Sequence, residues 1–584
     1  EYYVPTTLTT VTVSGFYEND GYGDLPAGDI YPYAFSGFTT LTSVAIGGGV
    51  ESIGNYAFEG CTALESLEIG SGVSTIGSGI IAGCTAITSL SVADDNYDFY
   101  DSDSNIIVEN NGYGYQQDVI IAGCQTSTIP TDYDDITVIG AGAFEGCVGL
   151  TSISIPSNID EIRSNAFAGC TGLTSLTISG GVESIGAQAF RNCIGLTEIT
   201  VPESVTSIGQ GAFGGTIELT ELTIPFVGGG RQSSQHFGYI FGTVQYVHAN
   251  GDFSDELAVS PSNASATYYI PAGLWSLNIT GADDEYSYDA DVAIPSYGLS
   301  NCDFLSEITI GDGVYSIGSY AFENCTSITG IVVPESVGSI GSYAFADCVS
   351  LDTVDLGEGV TSIGSYAFEN CTSITEIVVP ESVTSIGQGA FAGCSDLEEM
   401  TLPFVGSSRN GNTSSSNHLF GYIFGGDYQS SSDFDYVTQN YSDYSSAAYY
   451  IPSGLTTVTI TGAYDSYDDA AVSIGYGAFE ECDMIDSLTI GDGVYSIGAY
   501  AFRDCTSLTE MVVPESVTSI GEDAFAGCYN IAEITLPFVG SSRNGSTSSS
   551  NHLFGYIFGL GDQSSYNFDY VTQNYSDYSS AAYY

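Results

Sequence analysis

The chain has 584 residues, with 71 Asp and Glu against 6 Lys and Arg, and a formal net charge of −65. That balance leaves no basic footprint for nucleic acid or an anionic membrane, and no stretch approaches the ~18 apolar residues of a membrane span. With 43% apolar and 13% charged residues the chain is no disordered acidic tail, yet it is too long for one hydrophobic core and must divide into globules or stack repeats.

Glu1 stands where a start methionine would, which reads as a processed form or a segment of something longer, with any anchor or targeting sequence out of view. Tyr2 opens the motif YYVP, and Leu8, Val11 and Val13 then fall in a strand phase. Beyond them the cysteines reveal a period: they stand at 61 and 84; at 124, 147, 170 and 193; at 302, 325, 348, 371 and 394; and at 482, 505 and 528. Every spacing within a group is 23, and Phe38 and Thr216 fall on the same grid.

The unit 371–394 shows the coil most clearly. Ile374, Ile377 and Val379 predict a short strand, which Pro380 ends because proline cannot donate to a sheet ladder. VTSIG, with Val383 and Ile386, predicts a second extended piece, and the corner with Ala390 and Phe391 is too short for more than a turn or two of helical or 3-10 structure. One coil cannot bury its own apolar face; its neighbours do so, at roughly 1.5–3 kcal/mol per fully buried large side chain.

Four inserts interrupt the grid. ADDNYDFYDSDSN, between Cys84 and Cys124, lengthens one coil by 17 residues and predicts a surface loop or hairpin. The other three begin at Phe226, Phe404 and Phe538, run into FGYIFG, and lead through Ser/Tyr/Asp-rich tails to Tyr-Tyr pairs. YYIP at Tyr268 and at Tyr449 repeats the opening motif, which divides the chain into modules 1–267, 268–448 and 449–584. Segments 434–450 and 568–584 are identical, the mark of duplication. His236, His418 and His552, with Arg231, Arg409 and Arg543, recur within these inserts and are expected to pin them to the coils; their tyrosine-rich tails are contact candidates.

The cysteines are expected as buried thiols. Stacked strands lie about 4.8 Å apart, which keeps in-register Cβ atoms beyond the usual disulfide separation, and Thr216 and Phe38 at the same phase fit space-filling. GQGAFG at 209–214 matches a dinucleotide fingerprint but is the ordinary repeat corner with no βαβ unit around it. No nucleophile, phosphate-loop or zinc-ligand motif occurs, so the chain reads as non-enzymatic.

Acidic loops follow the first strand of each module. They contain Glu18, Asp20 and Asp24; Asp283, Asp284, Glu285, Asp289 and Asp291; and Asp465, Asp468 and Asp469. Alternating carboxylates can supply the oxygen ligands of a hard cation such as calcium, although none has EF-hand spacing. A solvated loop, or adaptation to a saline habitat, accounts for the same acidity. Asn263, Asn278, Asn412, Asn440, Asn544 and Asn574 lie in glycosylation sequons.

The units LTSVAIGGGVESIGNYAFEGCTA, LTSISIPSNIDEIRSNAFAGCTG and SITEIVVPESVTSIGQGAFAGC resemble the BspA-type leucine-rich repeats of bacterial and some protozoan surface proteins. The resemblance implies a right-handed solenoid with short parallel strands, a cell-surface or extracellular location, and adhesion with protein or matrix binding, without a transferable binding residue; the expected partner is a protein or glycan surface ligand. A second reading is structural. The chain begins and ends in the same module phase, which fits copies docking head to tail into a filament or surface layer as well as it fits a longer gene cut at a boundary.

Overall fold

The computed structural model describes residues 5–19, 24–26, 28–111, 117–131, 135–246, 255–263, 266–282, 292–409, 415–426, 432–462, 472–543, 549–559, 571–576 and 579–583. The chain forms two compact units, Glu1–Val292 and Ala293–Tyr584.

In each unit the uninterrupted coils share one register step, and the inserts lengthen it, to 58 residues between Glu399 and Thr457. In the first unit Ser152–Ile155 runs parallel to Ser175–Ile178, each residue opposite the one 23 positions on. Glu161–Ile162, Ser184–Ile185 and Ser207–Ile208 build a second parallel ladder with the same step. The strand period of two buries Ile153 and Ile155 and exposes Ser152 and Ser154. Inside, Phe144, Phe167, Phe190 and Phe213 stack with centroids 4.9, 5.2 and 5.9 Å apart. The second unit repeats the plan, with Gly330–Val333 parallel to Thr353–Leu356 and a second ladder of Ser339–Ile340, Ser362–Ile363 and Ser385–Ile386. Glu376–Val378 ends two residues before Pro380, as the missing N–H requires.

The corners are not short helices. Phe144 and Gly146 donate their N–H groups to Ala166 and Ala168 of the next coil, both at 2.7 Å, while Glu145 and Cys147 close turns onto Gly142 and Phe144 within their own coil. A helix would keep every N–H inside one coil; here every second one serves the stack. Among the described residues 3-10 helices occur only in the inserts, as Phe237–Ile240, Ser416–His418, Phe420–Ile423, Ser550–His552 and Phe554–Ile557. Each corner needs two left-handed residues four apart, such as Asn165 (φ 58°) and Gly169 (φ 74°), or Tyr320 (φ 59°) and Asn324 (φ 60°). Gly and Asn adopt that region readily and tyrosine does not. The tyrosines gain a partner instead: Tyr297, Tyr320, Tyr343 and Tyr366 stack at 4.7, 4.7 and 5.0 Å, within 10° of parallel.

All fourteen cysteines are buried thiols. The Sγ of Cys170 donates to the Phe144 carbonyl at 3.2 Å, and Cys325 and Cys505 donate likewise to Leu299 and Phe479. Thr216, fully buried at the same phase, turns its hydroxyl instead onto its own coil, to the Phe213 carbonyl at 2.8 Å.

The insert after Cys84 does form a hairpin, but one that joins the sheet. Phe99–Asp101, Ile106–Glu109 and Asp118–Gly123 are antiparallel neighbours, and Asp118–Gly123 continues parallel to Ile136–Ile139. Ile106, Ile107 and Val108 are fully buried. The tyrosine-rich tails also pair: Glu256–Val259 with Tyr268–Pro271, and Phe434–Ser442 with Ser445–Pro452, are antiparallel hairpins. Boundaries drawn by module phase at 267/268 and 448/449 therefore fall on hairpins, the second inside a strand.

Candidate functional site

Two surfaces bring chemistry together. The first is the outward face of the longer strands. In the first unit its exposed residues include Ser152, Ser154, Ser175, Thr177, Glu198 and Thr200. The second unit departs from this polar pattern: Val332, Val378 and Val512 occupy one coil position, the first valine of VVPESV, and are 62, 49 and 58% exposed. Glu376 and Glu510, also exposed, lie two residues before Val378 and Val512. A shallow groove of about 470 Å³ runs past Val332, bordered by Ile308, Gly330, Thr353 and Asp355. Gly330 opens it, since a Cβ there would stand 2.6 Å from Thr353 Oγ1.

The second surface lies where an insert meets the following coil in the second unit. Phe420 donates its N–H to the Ala478 carbonyl at 2.9 Å and lays its ring 4.7 Å from that of Phe479. His418 Nε2 donates to the Tyr476 carbonyl at 2.9 Å, which fixes its tautomer. Gln439, fully buried, accepts from Gly421 N and donates to Ala478 O and Cys482 Sγ at 2.9, 3.0 and 3.3 Å. Glu480, 2% exposed, receives two bonds from Asn440 and an ion pair from Arg503 Nη1 at 3.3 Å. Burial pushes the Glu480 carboxyl up, and the Asn440 bonds and the Arg503 charge pull it back. Arg231, Arg409 and Arg543 donate Nη2 to the carbonyls of Glu203, Glu381 and Glu515. The recurring arginines thus pin inserts to coils, as expected, and His418 does the same.

Between the tip of the 434–452 hairpin and the coil beneath it opens a cleft of about 470 Å³, lined by Tyr441, Ser442, Asp443, Ser473, Tyr476 and Ser496. Tyr476 OH donates to Asp443 Oδ1 and Ser496 Oγ to Ser473 Oγ, both at 2.8 Å. Burial, then the Asp443 carboxylate, pushes the Tyr476 phenol up. Sequence reasoning did not find this cleft, because no motif joins 441–443 to 473–476. The available signal was the strand-favouring residues Tyr436, Val437 and Thr438 and Tyr449, Tyr450 and Ile451 on either side of Ser442–Ser445.

The first unit has its own buried carboxyl at an insert. Glu256, 6% exposed, accepts from Tyr246 N at 2.7 Å, and burial raises it to about 7.

Of the candidate cation ligands, Asp20, Asp283, Asp284, Glu285, Asp289, Asp291, Asp465, Asp468 and Asp469 lie outside the described residues. Glu18 and Asp24 stand on the paired strands Tyr17–Asn19 and Asp24–Pro26, opposite Leu25 and Asn19. Among the described residues no group of three or more His, Cys, Asp or Glu could hold a metal ion. Of the sequon asparagines, Asn263 is exposed, Asn278 sits on Ser276–Gly281, and Asn440 uses its Nδ2 on Glu480. Asn574 is on Val571–Ser576, and Asn412 and Asn544 lie outside the described residues.

The coil defined by these ladders is also what the family comparison recognises. The model for the BspA type leucine rich repeat region matches in six copies, over residues 28–104, 121–228, 292–415 and 466–554. The chain belongs to the BspA-type leucine-rich-repeat family. Among solved structures this BspA-type chain is similar to a leucine-rich repeat protein from Bacteroides ovatus, at 23% identity over 76% of this chain and 89% of that one, with a TM-score of 0.29. It is also similar to a leucine rich cell surface protein from Faecalibacterium prausnitzii, at 18% identity over 94 and 91% of the two chains and a TM-score of 0.25. A leucine-rich repeat protein from Eubacterium ventriosum gives 16% identity over 88 and 87%, with a TM-score of 0.25. No curated protein matches the sequence. Among the described residues no helix is long and apolar enough to cross a membrane.

Proposed function

We propose that this BspA-type chain is a non-enzymatic scaffold displayed outside the cell, whose outward strand face binds protein or matrix ligands in adhesion. The observation that carries the reading is the row position shared by Val332, Val378 and Val512, each about half or more exposed where the strand pattern otherwise places Ser, Thr or acidic residues. Apolar groups held out on a flat, hydrogen-bonded ladder gain by being covered, at roughly 25 cal/mol per Å², and the acidic residues around them favour a partner of opposite sign.

The test is adhesion of the purified chain to immobilised extracellular-matrix proteins. The triple variant Val332→Asp, Val378→Asp, Val512→Asp should lose at least about tenfold in binding, equivalent to ~1.4 kcal/mol, with an unchanged melting temperature. Equal adhesion by variant and wild type would remove the strand face from the function. Protease shaving of intact cells, with release of fragments of this chain, tests the location.

A further inference from the structure

The cleft beneath the hairpin tip has a different chemistry from the strand face. Among the described residues its one charged lining residue is Asp443, and no basic residue borders it. The nearby Arg503 is engaged by Glu480 and Asp504, both at 3.3 Å. With a net charge of −65 on the chain, an anionic ligand would meet repulsion and no compensating donor. An apolar ligand would strip water from the hydroxyls of Ser442, Ser473, Ser496 and Tyr476 without replacing its hydrogen bonds. What fits is a neutral molecule with many hydroxyls and an apolar C–H face.

We propose that this cleft is a saccharide-binding site that takes one or two neutral sugar rings. The Tyr441 and Tyr476 side chains supply aromatic surface for the C–H face of a ring. Asp443 spends Oδ1 on Tyr476, and its Oδ2, with no partner among the described residues, is placed to accept from a pair of sugar hydroxyls. Ser473 accepts from Ser496, which leaves its own O–H as a donor. A volume of about 470 Å³ lies within the roughly 300–1,000 Å³ of small-ligand sites. The walls come from two elements, the insert hairpin and the coil, and the buried bonds of Gln439 and Asn440, immediately before Tyr441, hold them at a set distance. The site is therefore organised before a ligand arrives.

The proposal rests on the reading of the chain as a binding scaffold and names one ligand class and its place. The experiment uses the full chain and a panel of lactose, maltose, cellobiose, mannobiose and N,N′-diacetylchitobiose, read by saturation-transfer NMR and calorimetry. At least one sugar is expected to bind, and Tyr476→Phe and Asp443→Asn should each weaken it tenfold or more while the melting curve stays that of the wild type. Should either variant melt earlier, Ser473→Ala, which leaves the Tyr476–Asp443 bond in place, gives the same reading. Absence of binding by every sugar of the panel, or binding that the three variants leave intact, overturns the proposal. The strand-face valine variant separates the two readings: it should keep sugar binding while losing matrix adhesion, and failure of adhesion in the wild type with sugar binding intact would defeat the strand face alone.

Discussion

Asn440 holds both oxygens of Glu480: its backbone N–H donates to Oε2 and its Nδ2 to Oε1, each at 2.9 Å. The carboxyl is 2% exposed, so every donor removed leaves buried charge unsatisfied. Asn440→Ala is expected to lower the unfolding free energy by about 1–3 kcal/mol, and Asn440→Asp by more, since two carboxylates would then face each other. Urea titration with tyrosine fluorescence checks both. A loss below about 0.5 kcal/mol for the aspartate variant would show that the hairpin is held elsewhere.

Glu256 supplies a pH dependence whose sign follows from its environment. Burial raises the folded carboxyl to about 7 from an ordinary 4.5. Folding therefore favours the protonated form. The contribution is fully present below the unfolded value and is lost as pH rises through about 7. Glu256→Gln, which keeps an acceptor for Tyr246 N, should be stabilised relative to wild type at pH 8 and not at pH 4. The wild-type curve alone mixes in the other carboxylates, so the difference between the two melting curves is the measurement. A difference that is flat across this range would contradict a raised carboxyl at this position.

How much of this was legible beforehand differs by element. The period of the cysteines, from Cys302 to Cys394, carries the register of the ladders between uninterrupted coils, because one coil length sets those pairings; where an insert intervenes, as between Glu399 and Thr457, the period does not give the partner. Pro380 likewise marks the end of Glu376–Val378. The corners were not legible as turns. A stretch such as Ala143-Phe144 suits a helical turn equally well, and the deciding fact, that Phe144 N donates to Ala166 of the next coil, belongs to the stack. The Phe434–Ser442 hairpin was obscured for another reason. Its anchoring residues, Gln439 and Asn440, are polar types that usually face water, and here they turn inward onto a coil some 40 residues away.

The thiols give a third test. Cys394 and Cys528 are each raised to about 12 by burial, so the reactive thiolate is scarce at neutral pH as well as enclosed. A disulfide-exchange reagent added to the native chain should react with few or none of the 14 cysteines and, after unfolding in denaturant without reductant, with nearly all. Finding most of them already oxidised in the unfolded chain would contradict a core of stacked thiols.

The tyrosine ladder sets backbone strain against ring stacking, and the two can be separated by substitution at its centre. Tyr343 has φ 58°, which costs a residue with a Cβ roughly 1–2 kcal/mol. It stacks on Tyr320 at 4.7 Å and on Tyr366 at 5.0 Å, each contact worth about 0.5–1.5 kcal/mol. Elsewhere the same corner position is glycine, at Gly79, Gly142, Gly211 and Gly389, all with φ between 63° and 67°. Tyr343→Gly therefore removes the strain together with both stacks, and the two offset to leave between a gain of about 1 and a loss of about 2 kcal/mol. Tyr343→Val loses the stacks, keeps the positive φ and adds a β-branch that the left-handed region tolerates poorly. It should be less stable than the glycine variant by about 1–2 kcal/mol, measured by thermal unfolding of the whole chain. A valine variant as stable as the glycine one would mean that the corner relaxes away from its left-handed geometry, and that the ladder is held by the rings alone.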